Sequence, residues 1–320
     1  MAANATKNNL IIQNDKNQVS NYQTYLNVSM IEDFSNYVDA KPRTVKAYIS
    51  NLKQFFMYIK QRNIYNPTRQ TILEYRDYLK ANYSAATVQS YIVALRLFFQ
   101  WTELSNLYPN IAKRVKGATV SKAHKKDYLT ANQMEIVLET IDRSTLTGKR
   151  DYALIALLVT CGLRTIEAHR ANIEDLRTLG DMTVLYIQGK GKDEKTDYVK
   201  ITPIVEKIIR EYLKAKGNPA GKEPLFTSIS NNSTANRLSV RSISGIVKQR
   251  LIDAGFNSDR LTAHSLRHTA VTLSLIGGNS LQEVQQFARH SNISTTQIYA
   301  HNLDRANNKC EESISGAIFG

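Results

Sequence analysis

Apolar residues recur at steps of three and four along most of this chain, and this spacing constrains its fold more than any other feature. In the stretch RTVKAYISNLKQFFMYIKQ the apolar positions are Val45, Ile49, Leu52, Phe55, Phe56 and Ile59. Residues three and four apart lie on one face of an α-helix, so the stretch predicts an amphipathic helix with a single apolar stripe. Other elements have to pack on such a stripe, which favours a mainly α-helical fold.

Three more segments of the N-terminal part have the same helical character. They read SMIEDFSNYV, TRQTILEYRDYLK and ATVQSYIVALRLFFQW, at residues 29–38, 68–80 and 86–101. Together with the first stretch they predict a four-helix unit at the N-terminal end of the chain.

The remainder predicts a mixed α+β domain that is mostly helical. TANQ at residues 130–133 matches a capping box, in which the threonine and glutamine side chains bond to backbone amides at the start of a helix. The nearly apolar run GKRDYALIALLVTCG predicts a central helix, whereas MTVLYIQ and TDYVKI predict two short strands joined by the hairpin GKGKDEK. The later segments return to helical spacing, and a tail from about residue 304 to 320 is predicted as a last helix.

A basic segment separates the two parts of the chain. KRVKGATVSKAHKK, residues 113–126, has six Lys or Arg, no acidic residue and no helical spacing. Because 320 residues are more than one compact core usually needs, we expect two domains joined by this segment. The predicted order is a flexible N-terminal arm at 1–25, a first domain at 26–112, a basic linker at 113–126 and a second domain at 127–320.

The chain is strongly basic, with 42 Lys and Arg against 28 Asp and Glu and a formal net charge of +14 at pH 7. Such an excess favours a polyanionic partner, nucleic acid first of all, and a solvated basic surface is the alternative. The only two cysteines are Cys161, in an apolar run, and Cys310, so we expect a reduced, buried thiol. No apolar run approaches the roughly 18 residues that span a bilayer, and the polar N-terminus has no signal-peptide core. We therefore predict a cytoplasmic protein without membrane association.

Four short groups have side chains suited to chemistry on a phosphate. They are CGLRTIEA at 161–168, GKGK at 189–192, HSLRH at 264–268 and ARHSNISTTQIYAH at 288–301. Singly, each has an ordinary explanation: Arg164 pairs with Glu167 one turn later, the hairpin lysines are surface charges, and His264 begins a helix. Together they favour an anion site, because Arg164 and Arg267 both stand among apolar residues and a guanidinium group binds phosphate oxygens in pairs.

Tyr299 is one of seventeen tyrosines and differs from the others only by what precedes it in the chain. A tyrosine hydroxyl with its ordinary pKa of about 10 is a poor nucleophile at neutral pH unless neighbouring groups assist it. Cationic and proton-transferring side chains that converge on Tyr299 would supply that assistance.

The ordered set GLRxxE, a lysine in a Gly-rich hairpin, HxxR, and a histidine nine residues before a tyrosine resembles the tyrosine recombinases, the family of phage integrases and Xer-type resolvases. The resemblance covers the chain from about Ser29 to the tail. It implies an active site of two arginines, a supporting acid, a hairpin lysine, two histidines and a nucleophilic tyrosine. By position these are Arg164, Arg267, Glu167, Lys190, His264, His290 and Tyr299, with Lys192 as the alternative to Lys190.

The sequence departs from the family before its last histidine. The family commonly has Leu-Gly there, and this chain has Ala288 and Arg289. We expect either a different shape of the loop near His290 or a contact between Arg289 and the DNA backbone.

The resemblance implies a site-specific recombinase that cuts and rejoins DNA through a 3′-phosphotyrosine, without metal, ATP or any other cofactor. The implied partners are double-stranded DNA with paired recombination sites and a homo-tetramer assembled on that DNA from free monomers; an accessory directionality factor fits the same scheme. Integration or excision of a mobile element or prophage, Xer-like dimer resolution and DNA inversion stay open as roles. A type IB topoisomerase and a non-catalytic DNA-binding protein are the alternative functions.

By the same resemblance, the first domain is a SAM-like core-binding domain and the second is the catalytic domain. DNA contacts are expected from helix starts in the first domain, from the basic linker and from one residue of the second domain. The candidates are Arg43, Thr44, Lys46, Thr87, Gln89, Ser90, Arg114, Lys116, Lys122, Lys125, Lys126 and Arg241.

Overall fold

Two compact units, divided at Ser121, make up the chain. The computed structural model describes residues 26–120, 127–189, 192–219, 221–229, 236–306 and 308–320. The predicted arm at 1–25 and residues 121–126 of the predicted linker therefore lie outside the described residues. Within the described residues, no helix combines the length and the apolar character needed to cross a membrane.

The described part of the first unit contains four helices, which confirms the predicted four-helix fold: α1 (Met30–Tyr37), α2 (Pro42–Gln61), α3 (Arg69–Asn82) and α4 (Ala85–Leu104). Local signals set where they begin. Pro42 occupies the first turn of α2, where a missing amide donor costs little. The amide of Thr68 donates to Thr71 Oγ1 at 3.0 Å before α3, and the amide of Thr87 donates to Ser84 Oγ at 3.3 Å before α4.

The apolar stripe of α2 is part of the core of this unit. Leu52, Phe55, Phe56 and Ile59 are buried, whereas Val45 and Ile49, nearer the start of the helix, are half-buried. The rings of Phe55 and Phe56 meet those of two phenylalanines of α4 edge to face, with centroids 6.0 and 5.9 Å apart. Such contacts add to the stabilisation from burial itself, so α2 and α4 pack through the predicted stripe.

Residues 113–118 of the predicted linker pack on the first unit. Val115 is buried in its core, and a Cβ added to Gly117 would lie 1.8 Å from Gln89 Oε1 of α4. The backbone of the segment at residue 117 therefore lies against the side chain of Gln89. This part of the chain is therefore packed, although its sequence lacks helical spacing.

The second unit begins with α5 (Ala131–Glu139), α6 (Leu146–Thr160) and α7 (Thr165–Arg170). The predicted capping box precedes α5: the amide of Gln133 donates to Thr130 Oγ1 at 3.2 Å, and the amide of Thr130 donates to Gln133 Oε1 at 2.9 Å. Helix α6 is buried along 153–159, as expected for a central helix. Cys161, which follows α6, is a buried free thiol as predicted, and burial raises its pKa to about 11.

A small antiparallel sheet follows α7, with the order β1 (Leu176–Leu179), β2 (Met182–Ile187) and β3 (Asp197–Ile201). In its register Leu185 pairs with Leu176 on one side and with Val199 on the other. Strands β2 and β3 are the predicted hairpin. Strand β1 was not predicted, because three of its four residues are exposed and it shows no apolar alternation.

Six helices follow the sheet in the described part of the second unit: α8 (Pro203–Ala215), α9 (Val240–Asp253), α10 (Ala263–Ile276), α11 (Leu281–Ala288), α12 (Ser294–Ala306) and α13 (Cys310–Phe319). The prediction of a single tail helix from about residue 304 is corrected: residues 304–306 are the last residues of α12, and α13 is a separate helix. Before α13, the side-chain oxygen of Asn308 accepts the amide of Cys310 at 2.9 Å, a local bond that favours a turn. Helix α10 contacts α6, α9, α11 and α12, so it is central to this unit.

Candidate active site

A left-handed turn at Gly162 ends α6 and sets the position of Arg164. Gly162 has φ +56°, and the amide of Leu163 donates to Leu158 O at 3.2 Å, the hydrogen bond of a Schellman motif. A Cβ at residue 162 would lie 3.0 Å from the ring of Phe287, so both the backbone conformation and the space favour glycine. Arg164 follows in extended conformation as the residue before α7.

Glu167, in the first turn of α7, is a fully buried carboxylate shared by two arginines. It accepts hydrogen bonds from Arg164 Nη1 at 2.9 Å, from the amide of Arg164 at 2.8 Å and from Arg289 Nη2 at 3.0 Å. A buried carboxylate requires such partners, because it has lost its contacts with water. The ordinary Arg164–Glu167 pair is thus present, but the side chain of Arg164 keeps 27% of its surface exposed.

Arg267 lies on α10, and only 2% of its surface is exposed. Its guanidinium donates through Nη1 to Gly162 O and through Nη2 to Ala288 O, and so connects the ends of α6 and α11. Burial, and after it the charges of Arg164 and Arg289, lower the pKa of Arg267 to about 9. The side chain is therefore charged at neutral pH.

The hydroxyl of Tyr299, on α12, lies 2.6 Å from Nδ1 of His268 on α10. The ring of His264, one turn earlier on α10, meets the ring of His268 edge to face, with centroids 4.6 Å apart. The ring of His290 is nearly parallel to that of Tyr299 at a centroid distance of 6.3 Å, and its Nδ1 lies 2.9 Å from Thr296 Oγ1. The structure thus brings together His264, His290 and Tyr299, and it places His268 in contact with both His264 and Tyr299.

Tyr299 is buried, with 5% of its surface exposed. Burial raises the pKa of its hydroxyl to about 12, and the charges of Arg267 and then Arg164 act in the opposite direction. The hydroxyl is therefore neutral at physiological pH. The two arginines lie near enough to favour its ionised form, as a nucleophile requires.

Of the two candidate hairpin lysines, Lys190 lies outside the described residues and Lys192 lies within them. Lys192 Nζ donates to Asp197 Oδ2 at 2.7 Å, and about half of the Lys192 side chain is exposed. Gly189 O accepts a hydrogen bond from Arg170 Nη1 at 3.2 Å, so α7 holds the residue that precedes Lys190. The assignment of Lys190 in preference to Lys192 stays a prediction.

Arg289, at the end of α11, adds a third guanidinium to the cluster. Its Nη2 donates to Glu167 Oε2 at 3.0 Å and to Gly162 O at 3.3 Å, and its Nη1 donates to Phe287 O at 2.8 Å. Its own carbonyl oxygen accepts a hydrogen bond from Arg164 Nη2 at 3.4 Å. The side chain thus points into the site, next to both Arg164 and Glu167.

The predicted DNA contacts are mostly at the surface. Arg43, Thr44 and Lys46 are exposed in the first two turns of α2. Thr87 and Gln89 are half-buried, and the exposed Ser90 accepts a hydrogen bond from Asn51 Nδ2 at 3.0 Å. The remaining described candidates, Arg114, Lys116 and Arg241, are exposed, whereas Lys122, Lys125 and Lys126 lie outside the described residues.

Two residues of this cluster were not predicted in the positions that they occupy. His268 is the last letter of HSLRH, and its spacing of four from His264 puts both on one helix face, which was the available signal. The ion pair between Arg289 and Glu167 joins residues 122 positions apart, and no local pattern predicts such a contact.

No group of three or more His, Cys, Asp or Glu side chains in the described part of the chain is arranged to hold a metal ion. Among the described residues, Arg164, Arg267 and Arg289 bring positive charge to the site. Guanidinium groups bind phosphate oxygens in pairs, so the cluster is suited to a phosphate group.

Comparison with known proteins identifies the family. The model of the phage integrase family matches residues 127–306, and the model of the phage integrase N-terminal SAM-like domain matches residues 30–107. This chain is a member of the phage integrase family.

Individual relatives agree with this family. The chain is 30% identical over 305 residues to tyrosine recombinase XerC of Caldanaerobacter subterraneus subsp. tengcongensis, covering 85% of this chain and 82% of that protein. It is 29% identical over 286 residues to tyrosine recombinase XerD of Staphylococcus saprophyticus, covering 85% and 94%. The predicted family and enzyme class are confirmed: the chain is a tyrosine recombinase, an enzyme of site-specific recombination.

Solved structures share its fold. The structure of the XerH site-specific recombinase bound to palindromic difH substrate, a post-cleavage complex, superposes with a TM-score of 0.71 at 23% identity, covering 89% of this chain and 85% of that one. A lambda integrase dimer bound to a COC′ core site superposes with a TM-score of 0.68 at 15% identity, covering 90% and 80%. At these identities the likeness supports the fold class, a SAM-like helical domain followed by a mixed catalytic domain.

Proposed function

We propose that this recombinase cuts and rejoins double-stranded DNA through a covalent bond between Tyr299 and the 3′-phosphate at the break. The observation that carries the proposal is the environment of the Tyr299 hydroxyl, which bonds to His268 and lies where Arg267 and Arg164 favour its ionised form. Phosphoryl transfer needs an oriented nucleophile and fixed positive charge around the phosphate, and this cluster supplies both.

Arg164 and Arg267 stabilise the charge that develops on the phosphate oxygens, and His290 adds a hydrogen bond to them. Arg164 is the more accessible of the two arginines, because its side chain is 27% exposed whereas Arg267 is 2% exposed. Glu167 supports Arg164 by accepting hydrogen bonds from both its amide and its guanidinium. Preorganised charges of this kind are the largest contribution in many enzymes that stabilise an oxyanion.

The bonds and protons balance in a single displacement. Tyr299 Oη forms a bond to phosphorus as the bond from phosphorus to the 5′-oxygen breaks. The hydroxyl proton passes to the histidine pair, with His268 in contact with Oη and His264 as the proton acceptor or positioning group behind it. Lys190 protonates the leaving 5′-oxygen. The 5′-hydroxyl of another strand reverses the step, so neither ATP nor a metal ion takes part.

Attack requires a change in the position of Tyr299. Its hydroxyl is bonded to His268 and only 5% of the residue's surface is exposed, so a duplex cannot reach the hydroxyl in this arrangement. We place this change in α11 and α12, since these helices surround the tyrosine together with α10. Tyr299 then acts at the site of its own protomer.

The active assembly is a homo-tetramer on a pair of recombination sites, and it forms from free monomers in the cytoplasm. An accessory directionality factor is compatible with this assembly. Helix α13 supports this assembly because none of its residues is buried and Ile314, Ile318 and Phe319 are exposed apolar side chains. Exposed apolar residues on a terminal helix favour contact with another protein surface. The exposed basic residues of the two units contact the DNA backbone.

The test is covalent trapping on DNA. The wild-type chain is incubated with nicked duplexes made from the DNA that flanks its gene, and the adduct is detected as a species that resists denaturing detergent. A nick just downstream of the break lets the fragment with the 5′-hydroxyl diffuse away, so the adduct accumulates. We expect an adduct with wild type and none with Tyr299→Phe; an adduct that persists in Tyr299→Phe, or no adduct with any flanking sequence, would sink the proposal.

Two controls separate the alternatives. A type IB topoisomerase would relax a plasmid that lacks any recombination site, and it would do so as a monomer. A non-catalytic DNA-binding protein would shift the same duplexes equally as wild type and as Tyr299→Phe, without an adduct in either case. We expect wild type to need the trapped sequence both for cleavage and for strand exchange.

A further inference from the structure

Arg289 occupies a backbone position that favours glycine. It has φ +54°, its amide donates to Gln286 O at 3.0 Å, and the amide of His290 donates to Gln285 O at 3.1 Å. This is the hydrogen-bond pattern of a Schellman motif, like the one at Gly162, with an arginine as the left-handed residue. A side chain is disfavoured in this conformation, so contacts of the arginine itself have to compensate for it.

Those contacts all lie inside the active site. The guanidinium of Arg289 bonds to the buried carboxylate of Glu167 and to the carbonyl oxygens of Gly162 and Phe287. Its side chain is 14% exposed, and its Nε is buried without a hydrogen-bond partner among the described residues. Arg289 is therefore an integral part of the cluster, and hydrogen bonds from its two terminal nitrogens hold its side chain in place.

The charges of the cluster show what this arginine contributes. Glu167 carries one negative charge and bonds to Arg164 through Nη1. With these two residues alone, the carboxylate would cancel the charge of the arginine that is most accessible to a phosphate. The ion pair between Arg289 and the other carboxylate oxygen compensates Glu167 instead, and it acts in a buried environment where charges are weakly screened.

We propose that Arg289 is a positioning residue of the phosphate site, which binds Glu167 so that Arg164 keeps a net positive charge toward the scissile phosphate. This inference rests on the proposed function of the site and deepens it. Arg289 acts through Glu167. Where the family commonly has a flexible glycine, this chain thus has a fixed cation that pairs with Glu167, next to Arg164.

The test compares single-turnover cleavage by wild type, Arg289→Met and Arg289→Lys. The substrate is the nicked duplex that gives the covalent adduct with wild type. Met keeps the volume of the side chain without its charge, and Lys keeps the charge without the planar fork. We expect Arg289→Met to cleave about 10- to 100-fold more slowly than wild type, with Arg289→Lys in between. Asn63→Met is the matched control, because Asn63 has φ +54° in the same motif at the end of α2 in the first unit. It should cleave at the wild-type rate.

A second substrate distinguishes an electrostatic role from a structural one. When the scissile phosphate is replaced by a neutral methylphosphonate, the charge that the arginines stabilise is reduced. The deficit of Arg289→Met should then shrink to about threefold or less. In a Glu167→Gln background, where the carboxylate charge is absent, Arg289→Met should likewise cost about threefold or less.

The proposal is overturned if Arg289→Met cleaves the phosphate substrate within about twofold of wild type, or if its deficit is undiminished on the methylphosphonate. It is also overturned if Arg289→Met is as harmful in the Glu167→Gln background as alone, since Arg289 would then act directly on DNA. If circular dichroism shows that Arg289→Met is unfolded, the same ratios measured with Arg289→Lys decide. Failure of the proposed function itself is recognised separately, because wild type then forms no adduct.

Discussion

At the scale of single residues, Tyr299, the nucleophile that we propose, is buried and its hydroxyl is hydrogen-bonded to His268. Burial raises the pKa of Tyr299 to about 12, whereas a tyrosine in an unfolded chain has a pKa of about 10. Because the folded value is the higher one, its contribution to stability is present below about pH 10 and is lost as the pH rises toward about 12.

This shift predicts a simple titration result. At about pH 10.5, more than half of an ordinary tyrosine is ionised, but Tyr299 should still be neutral. The ultraviolet absorbance of tyrosinate in wild type minus that in Tyr299→Phe should therefore be near zero at that pH in the folded proteins. In urea the same difference should equal one tyrosine with a midpoint near pH 10. A full tyrosinate signal at about pH 10 in the folded chain would contradict the burial of the hydroxyl.

Gly162 gives a second prediction, because its carbonyl oxygen accepts hydrogen bonds from both Arg267 and Arg289. Gly162→Ala places a Cβ at a positive φ and 3.0 Å from Phe287, so we expect a loss of unfolding free energy of about 1–3 kcal/mol and at least about a tenfold slower cleavage. Gly180→Ala is the control, since Gly180 has φ +57° in the β1–β2 turn and nothing lies within 4 Å of an added Cβ. It should lose about 1 kcal/mol of stability and keep the wild-type cleavage rate; equal effects of both variants on cleavage would contradict the role of Gly162.

The family resemblance, read from residue types and their order in the sequence, predicted six of the side chains that meet at the site, but not the places of His268 and Arg289 or how the side chains pair. Arg164, Glu167, Arg267, His264, His290 and Tyr299 were all predicted, and they converge in the second unit. The contact of Tyr299 with His268 and the sharing of Glu167 with Arg289 depend on how α7, α10, α11 and α12 pack. Contacts between residues so far apart in the chain have no local sequence pattern.

At the scale of helices, a buried charge cluster outside the active site joins α6 to α9. Asp151 is 2% exposed and accepts hydrogen bonds from Arg150 on α6 and from Arg250 on α9, both at 2.7 Å. Removing the carboxylate charge takes away the anionic partner of the buried Arg150 and one of the two anionic partners of Arg250. Asp151→Asn should therefore lower the free energy of unfolding by about 3–5 kcal/mol in urea denaturation.

The matched control for Asp151→Asn uses the same arginine. Arg250 Nη1 also bonds to Asp253 at 3.0 Å, but the side chain of Asp253 is about a third exposed. An exposed pair contributes about 1 kcal/mol or less, so Asp253→Asn should change stability only slightly. If Asp151→Asn lowered the free energy of unfolding as slightly as Asp253→Asn, the cluster between α6 and α9 would not be buried in solution.

The helices could be predicted in advance because each carries its own apolar stripe and start signals. Strand β1 could not, because a short strand with three exposed residues resembles a loop until its hydrogen bonds with β2 are seen. The break between α12 and α13 was missed for a similar reason: the Asn308 side chain forms a local turn bond with the amide of Cys310, but apolar spacing continues on both sides of it.

At the scale of the whole molecule, helix α13 is exposed along its whole length. Ile318 and Phe319 are 65% and 82% exposed, and no residue of the helix is buried. A helix that buries nothing contributes little to the stability of its own chain, because most helical stability in proteins comes from packing. If α13 docks on a neighbouring copy in the tetramer, its deletion should affect assembly and leave the monomer intact.

Deletion of residues 308–320 tests this separation. We expect the free energy of unfolding to stay within about 0.5 kcal/mol of the full-length value, and covalent trapping on a single nicked site to proceed at the wild-type rate. On DNA with paired sites, the tetramer should be lost in sedimentation analysis, and recombinant product should fall at least about tenfold. Phe319→Ser alone should have a partial effect of the same kind, because it removes one apolar contact and keeps the helix. A truncated chain that recombines as well as wild type would show that the subunits assemble through other surfaces, whereas loss of single-site cleavage would show that α13 acts within its own active site.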